Sequence, residues 1–446
     1  MECVAPAISL LDRSAVDALR RRLRVDPIVM RRMRNAYLKH FTDVDGALKH
    51  LPEAHRSEVR DGVTWQALDL HKRCDSQQDG ATKLLFKTQR QRLIEAVVLR
   101  IATGRTTLCV SSQAGCAAGC QFCATSRMGL LQNLTAREIV DQILQAGRLL
   151  ANEGRRVRNL VFMGMGEPFH NEDALYEALA AITGPDALHH PPSRVLISSV
   201  GIVPAMIRCA RRFPEIKLAL SLHSVCQATR EELIPLARKY PLAEIRDALV
   251  AINRIQPPRT AIMIEYLMLQ DVNDSLEAAS ELASFLQGLR VHVNLIPYNP
   301  IEDAPQLESS SRERREEFGQ SLRKAGLETT IRYSLGGDID AACGQLVRKQ
   351  ARAGAEATKE TANVLARTAS APFTNSPVGQ HQTRRPSVRR SSAFRDADGR
   401  RRHDYPSAGV LALRVKARVL LQSQKNLASN RACFYRDIAL HPVREH

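Results

Sequence analysis

Three cysteines lie close together in the segment Cys116-Ala-Ala-Gly-Cys120-Gln-Phe-Cys123. Thiolates at this spacing can each bind one iron of a [4Fe–4S] cluster from a single short loop, which leaves the fourth iron open for another ligand. Gly115 and Gly119 let the backbone wrap closely around such a group. A structural zinc site needs four ligands, usually from two paired groups, and no second pair follows at that spacing. The segment therefore predicts an iron–sulfur cluster.

A second candidate segment, Met163-Gly-Met-Gly-Glu-Pro168, follows a predicted strand. Its glycines let the backbone approach a ligand, and the carboxylate of Glu167 can hold an ammonium group. Further polar groups lie at or just after the ends of predicted strands, where each alone is more typical of a turn or a helix cap. They are Ser198, Ser221, His223 and Asn299.

Two cysteines outside the cluster motif stand in distinctive contexts. Cys109 lies seven residues before Cys116, and Cys343 lies in the segment Asp338-Ile-Asp-Ala-Ala-Cys-Gly-Gln-Leu346. The alternative for both is a small buried thiol in the core. The remaining cysteines fit no motif, and we interpret them as structural or incidental: Cys3, Cys74, Cys209, Cys226 and Cys433.

The spacing of the cluster cysteines, together with the glycine-rich segment 163–168, resembles the radical S-adenosylmethionine (SAM) superfamily. In that superfamily the amino and carboxyl groups of SAM chelate the open iron, and one electron from the cluster cleaves SAM to a 5′-deoxyadenosyl radical. Segment 163–168 resembles the Gly-Gly-Glu element that binds the SAM amino group. Phe122, directly before the last ligand, fits the superfamily pattern and equally fits a core position.

Over residues 92–346 the chain resembles the RlmN/Cfr family of RNA adenine methyltransferases. The resemblance is based on the residues around Cys109 and Cys343. Five further segments support it: 164–168, 220–223, 264–266, 272–274 and 294–300. The resemblance implies that Cys343 takes a methyl group from one SAM and that a second SAM generates the radical that activates this methyl for addition to adenine. It implies Glu95 as the base that removes the ring proton; the alternative is an exposed strand carboxylate. Cys109 then attacks the sulfur, and a transient disulfide remains for thiol exchange to reduce.

The same resemblance implies the residues that bind SAM: Gly166, Glu167, Ser198, Ser221, Leu222, His223 and Asn299. Pro168 and Asp340 resemble the residues of the family branch that methylates carbon 2 of adenine more than those of the other branch. The expected substrate is 23S rRNA, with tRNA as a second candidate. The alternatives are carbon 8 methylation, another radical SAM RNA-modifying enzyme, or a metal-stabilised RNA-binding module. A sulfur-inserting enzyme would carry a second cysteine triad, and a binding module would not explain the pair of Cys109 and Cys343. The expected electron donor is a flavodoxin or ferredoxin, and the expected state is a monomer.

Alternating strands and helices from residue 106 onward indicate how these groups are positioned. The candidate strands are 108–111, 159–163, 195–199, 218–222, 261–269, 291–296 and 328–333, with amphipathic helices such as 136–150 and 275–287 between them. Repeated strand–helix units predict an α/β fold with a parallel sheet. With the family resemblance this becomes a radical SAM partial (β/α)6 barrel whose active groups lie at the carboxyl ends of the strands.

The flanking regions differ in composition. Residues 1–62 predict a small helical accessory domain, in which Asp26 and Pro27 start a helix. Residues 63–105 are predicted to form a small linking sheet, with Asp79 and Gly80 at a turn. The segment 100–105 is basic, whereas the family typically has an acidic turn at this place. Residues 106–350 form the predicted catalytic domain, and 351–446 a disordered, basic, low-complexity tail.

Charge and hydropathy narrow the class of partner. The formal net charge is +17, and the tail from residue 351 carries 18 Lys and Arg against 7 Asp and Glu. Such an excess favours a polyanionic partner such as nucleic acid or an acidic membrane surface, and the alternative is a basic tail with no specific partner. No apolar run of about 18 residues predicts a membrane helix, and the N-terminus does not have the pattern of a secretory signal. We therefore expect a cytoplasmic protein without a membrane partner, whose cysteines bind metal or react.

Overall fold

The structure is a computed structural model that describes residues 8–101, 103–332 and 334–345. The predicted disordered tail, 351–446, lies outside the described residues. In the described part no helix is long and apolar enough to cross a membrane.

Four helices build the N-terminal region, as the sequence predicts. They are α1 (Arg13–Arg22), α2 (Pro27–Leu38), α3 (Val44–Leu48) and α4 (Glu53–Gly62), flanked by the paired two-residue strands β1 (Ile8–Ser9) and β2 (Val63–Thr64). Asp26 accepts hydrogen bonds from the backbone amides of Ile28 and Val29, and Pro27 stands at the first helical position. The predicted helix start at Asp26 and Pro27 is therefore confirmed.

Residues 63–105 do not form a sheet of their own, contrary to prediction. Strands β3 (Leu68–Asp75), β4 (Ala81–Thr88) and β5 (Leu93–Arg100) form an antiparallel meander, and β5 pairs with β6 (Thr106–Cys109). Only residues 101–105 connect β5 to β6, so the two strands pair as a hairpin. The meander thereby continues the main sheet, whose ten strands follow the order β14-β13-β12-β11-β10-β9-β6-β5-β4-β3.

The parallel part of the sheet confirms the seven predicted strands to within two residues. After β6 come β9 (Asn159–Phe162), β10 (Val195–Ser199), β11 (Lys217–Ser221), β12 (Ile262–Met268), β13 (Val291–Pro297) and β14 (Thr329–Ile331). The three-residue strand β14 pairs with β13 and extends the predicted six-stranded barrel by one edge strand. Between β6 and β9 the chain forms a separate small hairpin of β7 (Gln113–Gly115) and β8 (Leu130–Asn133).

Helices connect the parallel strands and cover the sheet. They are α5 (Ala124–Arg127), α6 (Ala136–Asn152), α7 (Glu172–Thr183), α8 (Val203–Arg212), α9 (Gln227–Leu233), α10 (Leu242–Ile255), α11 (Leu276–Leu286) and α12 (Arg312–Lys324), with 3-10 turns at Pro168–Asn171, Pro192–Arg194, Pro235–Lys239 and Gly337–Ile339. Thr135 and Glu138 form a capping box at the start of α6. Buried aliphatic side chains of the strands pack against these helices, so the sheet holds its carboxyl ends in fixed positions.

Candidate active site

The three cysteines of the cluster motif lie between β7 and α5, near the carboxyl ends of the parallel strands. Cys116 and Cys120 are buried and Cys123 is half-buried. All three line a cavity of about 160 Å³. Burial raises the pKa of the Cys116 thiol to about 11, and burial with the two neighbouring thiols raises that of Cys120. A cationic group in the cavity would stabilise their thiolate forms.

The arrangement of these thiols fits an iron–sulfur cluster better than a single ion. Within the described ranges, no three His, Cys, Asp or Glu side chains converge on a site for one metal ion. The thiols surround a cavity instead. In a [4Fe–4S] cluster each thiolate binds its own iron, so its ligands are spread around a larger group.

Gly115 and Gly119 shape this loop, as the sequence suggests. Both have positive φ, +76° and +74°. A side chain at Gly115 would overlap the carbonyl oxygen of Gly129, to which the amide of Cys116 donates a hydrogen bond of 2.9 Å. The left-handed conformation and this close approach both require glycine at position 115.

The loop after β9 places Glu167 at the edge of the same cavity. Gly166 has φ +102°, and a side chain there would lie 2.6 Å from Cβ of Gln113. The Glu167 carboxylate is 3% exposed and accepts hydrogen bonds from the amides of Val200 (2.9 Å) and Phe169 (3.1 Å). Burial raises its pKa to about 7. An ammonium group beside it would offset the cost of burying this charge.

Ser198, Ser221 and His223 line this cavity from neighbouring strands. The two serine hydroxyls are 3.4 Å apart. Nδ1 of His223 accepts a hydrogen bond from the amide of Leu267 at 3.0 Å, so the proton of the neutral ring lies on Nε2. Burial lowers the pKa of His223 to about 3, which keeps the ring neutral. Phe122 packs edge-on against this ring, with centroids 4.9 Å apart.

Two predicted SAM ligands are placed differently from the others. Leu222 is fully buried, and its amide donates to the carbonyl of Glu265. The amide side chain of Asn299 donates to the carbonyl of Cys343 at 3.2 Å. Neither residue is among the described residues that line the 160 Å³ cavity. Asn299 thus fixes the segment that carries Cys343, and any contact of Leu222 with a ligand would use its backbone.

Cys109 and Cys343 come together from opposite ends of the catalytic region. Both are free thiols and line a second, larger cavity of about 900 Å³, and Cys343 lines the 160 Å³ cavity as well. Cys109 ends β6, between Val97 of β5 and Val161 of β9. Burial and then the nearby Cys343 raise the pKa of the Cys109 thiol to about 12.

Glu95 is buried, and the alternative of an exposed strand carboxylate is wrong. Its side chain lies 3.5 Å from the amine of Lys83, which also donates to the carbonyl of Asp340 at 3.2 Å. Strand alternation puts Glu95 on the same face of β5 as Val97, the partner of Cys109. Lys83 therefore links the candidate base to the segment that carries Cys343.

Sequence reasoning missed Arg332 and Glu265. Arg332 follows β14 directly and lines both cavities, and Cys343 is the largest influence that raises the pKa of its guanidinium. Glu265, on β12, accepts a hydrogen bond from Asn294 at 2.9 Å. Arg332 lies near the end of the predicted strand 328–333, which was the available signal, whereas the signal for Glu265 was a carboxylate in the middle of a mostly apolar strand.

Comparison with known proteins agrees with this geometry. Residues 110–283 match the model of the radical SAM superfamily. A crystal structure of a radical SAM methyltransferase from Sphaerobacter thermophilus superimposes with a TM-score of 0.70 at 36% identity, covering 76% of this chain and 97% of that one. The fold, the cluster loop and these matches define a radical SAM methyltransferase, an enzyme class that uses a [4Fe–4S] cluster and SAM.

Sequence relatives specify the family within that class. The chain is 52% identical to the "Probable RNA methyltransferase" of Rhodopirellula baltica (80% of this chain, 92% of the relative). It is 40% identical to the dual-specificity RNA methyltransferase RlmN of Syntrophobacter fumaroxidans (67% and 85%) and 36% to the ribosomal RNA large subunit methyltransferase Cfr of Staphylococcus warneri (71% and 90%). The chain belongs to the RlmN/Cfr family of radical SAM RNA methyltransferases.

Proposed function

We propose that this chain methylates an adenine carbon in RNA, with Cys343 as the methyl carrier. The observation that carries the proposal is that Cys343 lines both cavities. It shares one with the three cluster cysteines and the other with Cys109. A thiol at this junction can take a group from a cofactor on one side and deliver it to a substrate on the other. The names of the relatives supply the substrate class, RNA.

The smaller cavity is suited to the cofactors. Cys116, Cys120 and Cys123 would hold the cluster. The proposed SAM ligands that line this cavity are Gly166, Glu167, Ser198, Ser221 and His223, and Leu222 and Asn299 are proposed ligands that adjoin lining residues in the chain. The buried Glu167 carboxylate suits the SAM ammonium, and the neutral His223 ring offers an N–H donor. When bound, the cluster and two SAM molecules per turnover supply a methyl group for Cys343 and the one-electron chemistry that makes it reactive.

The larger cavity is suited to bond formation and release. The adenine ring carbon is electron-poor, so ordinary methyl displacement fails and the activated methyl on Cys343 must add to the ring. Glu95 would then remove the ring proton, and the unpaired electron of the ring would return to the oxidised cluster that the three cluster cysteines would hold. The Lys83 amine lies 3.5 Å from the Glu95 side chain and helps to orient it for this role.

Cys109 completes the reaction by attacking the sulfur of Cys343. The bond between that sulfur and the methylene carbon breaks, and its electron pair leaves with the carbon, which takes up a proton to become the methyl group. A Cys109–Cys343 disulfide remains, for two-electron reduction by thiol exchange. The nearby Arg332 guanidinium partly offsets the burial that raises the pKa of the Cys109 thiol, and so favours the thiolate form that attacks in this step.

Carbon 2 of a 23S rRNA adenine is the favoured target, with tRNA as a second candidate substrate. Pro168 and Asp340, the two residues that favour this branch, adjoin the site: Pro168 follows Glu167, and the Asp340 carbonyl accepts a hydrogen bond from Lys83. Carbon 8 is the second candidate, because the chain is similar to proteins named RlmN and to proteins named Cfr. We also propose a monomer that receives electrons from a flavodoxin or ferredoxin.

Reconstitution with RNA tests this proposal directly. The anaerobically purified protein, with SAM and reduced flavodoxin, is incubated with 23S rRNA or tRNA from a strain that lacks the gene. Digested nucleosides are compared with 2-methyladenosine and 8-methyladenosine by chromatography and mass spectrometry. We expect 2-methyladenosine. Formation of 8-methyladenosine would select the second candidate, and absence of both methylated nucleosides from both RNAs would contradict the proposed function.

A further inference from the structure

The larger cavity extends from the two reactive thiols to the amino ends of the parallel strands. Side chains on one face of each strand point into the barrel. Met263 and Glu265 lie on the same face of β12, and Met263 lies nearer the amino end because it comes two residues earlier. Basic residues stand at or just before four strand starts. They are Arg105 (β6), Arg194 (β10), Lys217 (β11) and Arg259 (β12), here called the basic rim.

The lining of this cavity carries charge of one sign. The basic rim and Arg332 contribute five cations, and no Asp or Glu occurs among the described residues that line it. Arg259 pairs with Glu215 at 2.7 Å, outside the lining. Arg194 and Lys217 are exposed and form no ion pair within the described part of the chain. Cations that have no nearby carboxylate are available for phosphate groups.

The opposite end of the barrel has little free space. At the carboxyl ends the cavity measures about 160 Å³, is bounded by the cluster cysteines, and is the space that the cofactors require. The cavity at the amino ends, of about 900 Å³, lies in the size range of small-molecule sites and reaches Cys343. A nucleobase can therefore approach Cys343 from the amino ends without passing the cofactors.

We propose that RNA docks on the basic rim at the amino ends of the strands and that the target adenine is flipped through this opening toward Cys343. The inference rests on the proposed function. Rim cations would hold the phosphates that flank an unstacked adenine, which is how sequence-independent contacts position a nucleic acid. The base must leave its stack to reach the thiols inside. Substrate entry is thus opposite to the carboxyl-end entry that is usual for barrel enzymes.

The first test removes two rim cations from the full-length enzyme. Arg194→Gln/Lys217→Gln is compared with Arg238→Gln/Arg312→Gln, which removes the same charge from two exposed residues outside the cavity lining. Filter binding to a 23S rRNA fragment measures how steeply log affinity decreases with log salt concentration. For the rim variant this dependence should be shallower by about 1.4, because two phosphate contacts are lost. Its KM for RNA should rise roughly tenfold, with a much smaller change in kcat, because phosphate contacts mainly add affinity. The control should match wild type.

The second test blocks the opening. Met263→Trp should still acquire a methyl group on Cys343, seen by peptide mass spectrometry, and retain its iron, but it should lose RNA methylation. Met263→Leu, which conserves volume, should keep it. Normal RNA turnover by Met263→Trp, or a rim variant that binds RNA like its control, would overturn the docking proposal. A wild-type protein that binds RNA through the rim but methylates neither Cys343 nor RNA would contradict the proposed function alone.

Discussion

Two thiols in one cavity have positions that predict different roles. Cys343 lines the space shared with the cluster cysteines, whereas Cys109 is fixed at the end of β6 between two strands. Only Cys343 is placed to receive a group from the cofactor side. Cys109 is placed to act later, when the product must be released.

Alanine variants of the two cysteines should fail in different ways. Cys343→Ala has no methyl acceptor, so it should form neither methylated RNA nor a covalent adduct. Cys109→Ala should methylate Cys343 and add to RNA but then stop, because no thiolate can attack the linking sulfur. A denaturing gel should show the trapped protein–RNA species, which nuclease reduces to a small mass increment.

A matched control exists in Cys209, which is buried on α8 and lines neither cavity. Cys209→Ala should turn over like wild type. The double variant Cys109→Ala/Cys343→Ala should lose the adduct, which would locate the linkage at Cys343. Normal turnover by Cys109→Ala, or identical behaviour of both single variants, would contradict the two-cysteine mechanism.

Replacing Glu95 should slow proton removal without displacing neighbouring groups. Glu95→Gln keeps the size of the side chain, but an amide cannot accept the ring proton. Turnover should fall on the order of 100-fold or more, as expected for loss of a general base. The protein–RNA adduct should accumulate, since addition precedes proton removal. Glu177→Gln, an exposed change on α7, is the control, and equal turnover by both variants would exclude Glu95 as the base.

At the scale of elements, the small hairpin of β7 and β8 positions the cluster loop. Gly115 in β7 and Gly129 before β8 both have positive φ, +76° and +66°. A side chain at Gly115 would overlap the backbone of the partner segment, whereas one at Gly129 would meet nothing within 4 Å. The same substitution should therefore have different consequences at the two positions.

Gly115→Ala should lose most of its iron, because the overlap forces the backbone at Cys116 to move. Gly129→Ala should keep its iron, since it adds only the cost of a left-handed Ala, about 1–2 kcal/mol. Iron and sulfide analysis with the visible absorption spectrum of anaerobically purified protein measures the difference. Full iron content in Gly115→Ala would show that the hairpin does not determine the loop geometry.

At the scale of the whole molecule, charge is distributed unevenly along the chain. Residues 351–446 carry 18 of the 64 Lys and Arg and 7 of the 47 Asp and Glu. They contain no motif for catalysis. We therefore expect this tail to assist RNA capture electrostatically and to be unnecessary for the chemistry.

Removal of residues 351–446 should weaken RNA binding, by roughly tenfold at low salt, and reduce its salt dependence, because fewer counterions are released. Turnover at saturating RNA should survive. A full-length variant with the arginine clusters at 384–385, 389–390 and 400–402 changed to Gln should reproduce the binding loss if charge is the cause. A truncated, iron-replete protein that is inactive at every RNA concentration would contradict this division of roles.

Local sequence patterns were sufficient for the parallel strands, the starts of α2, α6 and α11, and the cluster motif. Strand alternation, caps such as Asp26 and the spacing of Cys116, Cys120 and Cys123 depend on neighbours within a few residues. The joining of β3–β5 to the main sheet was not predictable in this way, because it depends on the pairing of β5 with β6 across a short connection. Arg332 was missed for a related reason: its partners come from distant segments.

The residue types and their spacing identify the chemical groups of this protein, and the resemblance to a known family indicates the reaction that they suit. Which of those groups meet depends on the folded chain. Cys109 and Cys343 are separated by more than 230 residues, and their shared cavity exists because parallel pairing brings the strand ends together. The tertiary structure also decided that Glu95 is buried beside Lys83 and that the basic rim opens on the same cavity. Burial and proximity depend on long-range packing, which no short segment encodes.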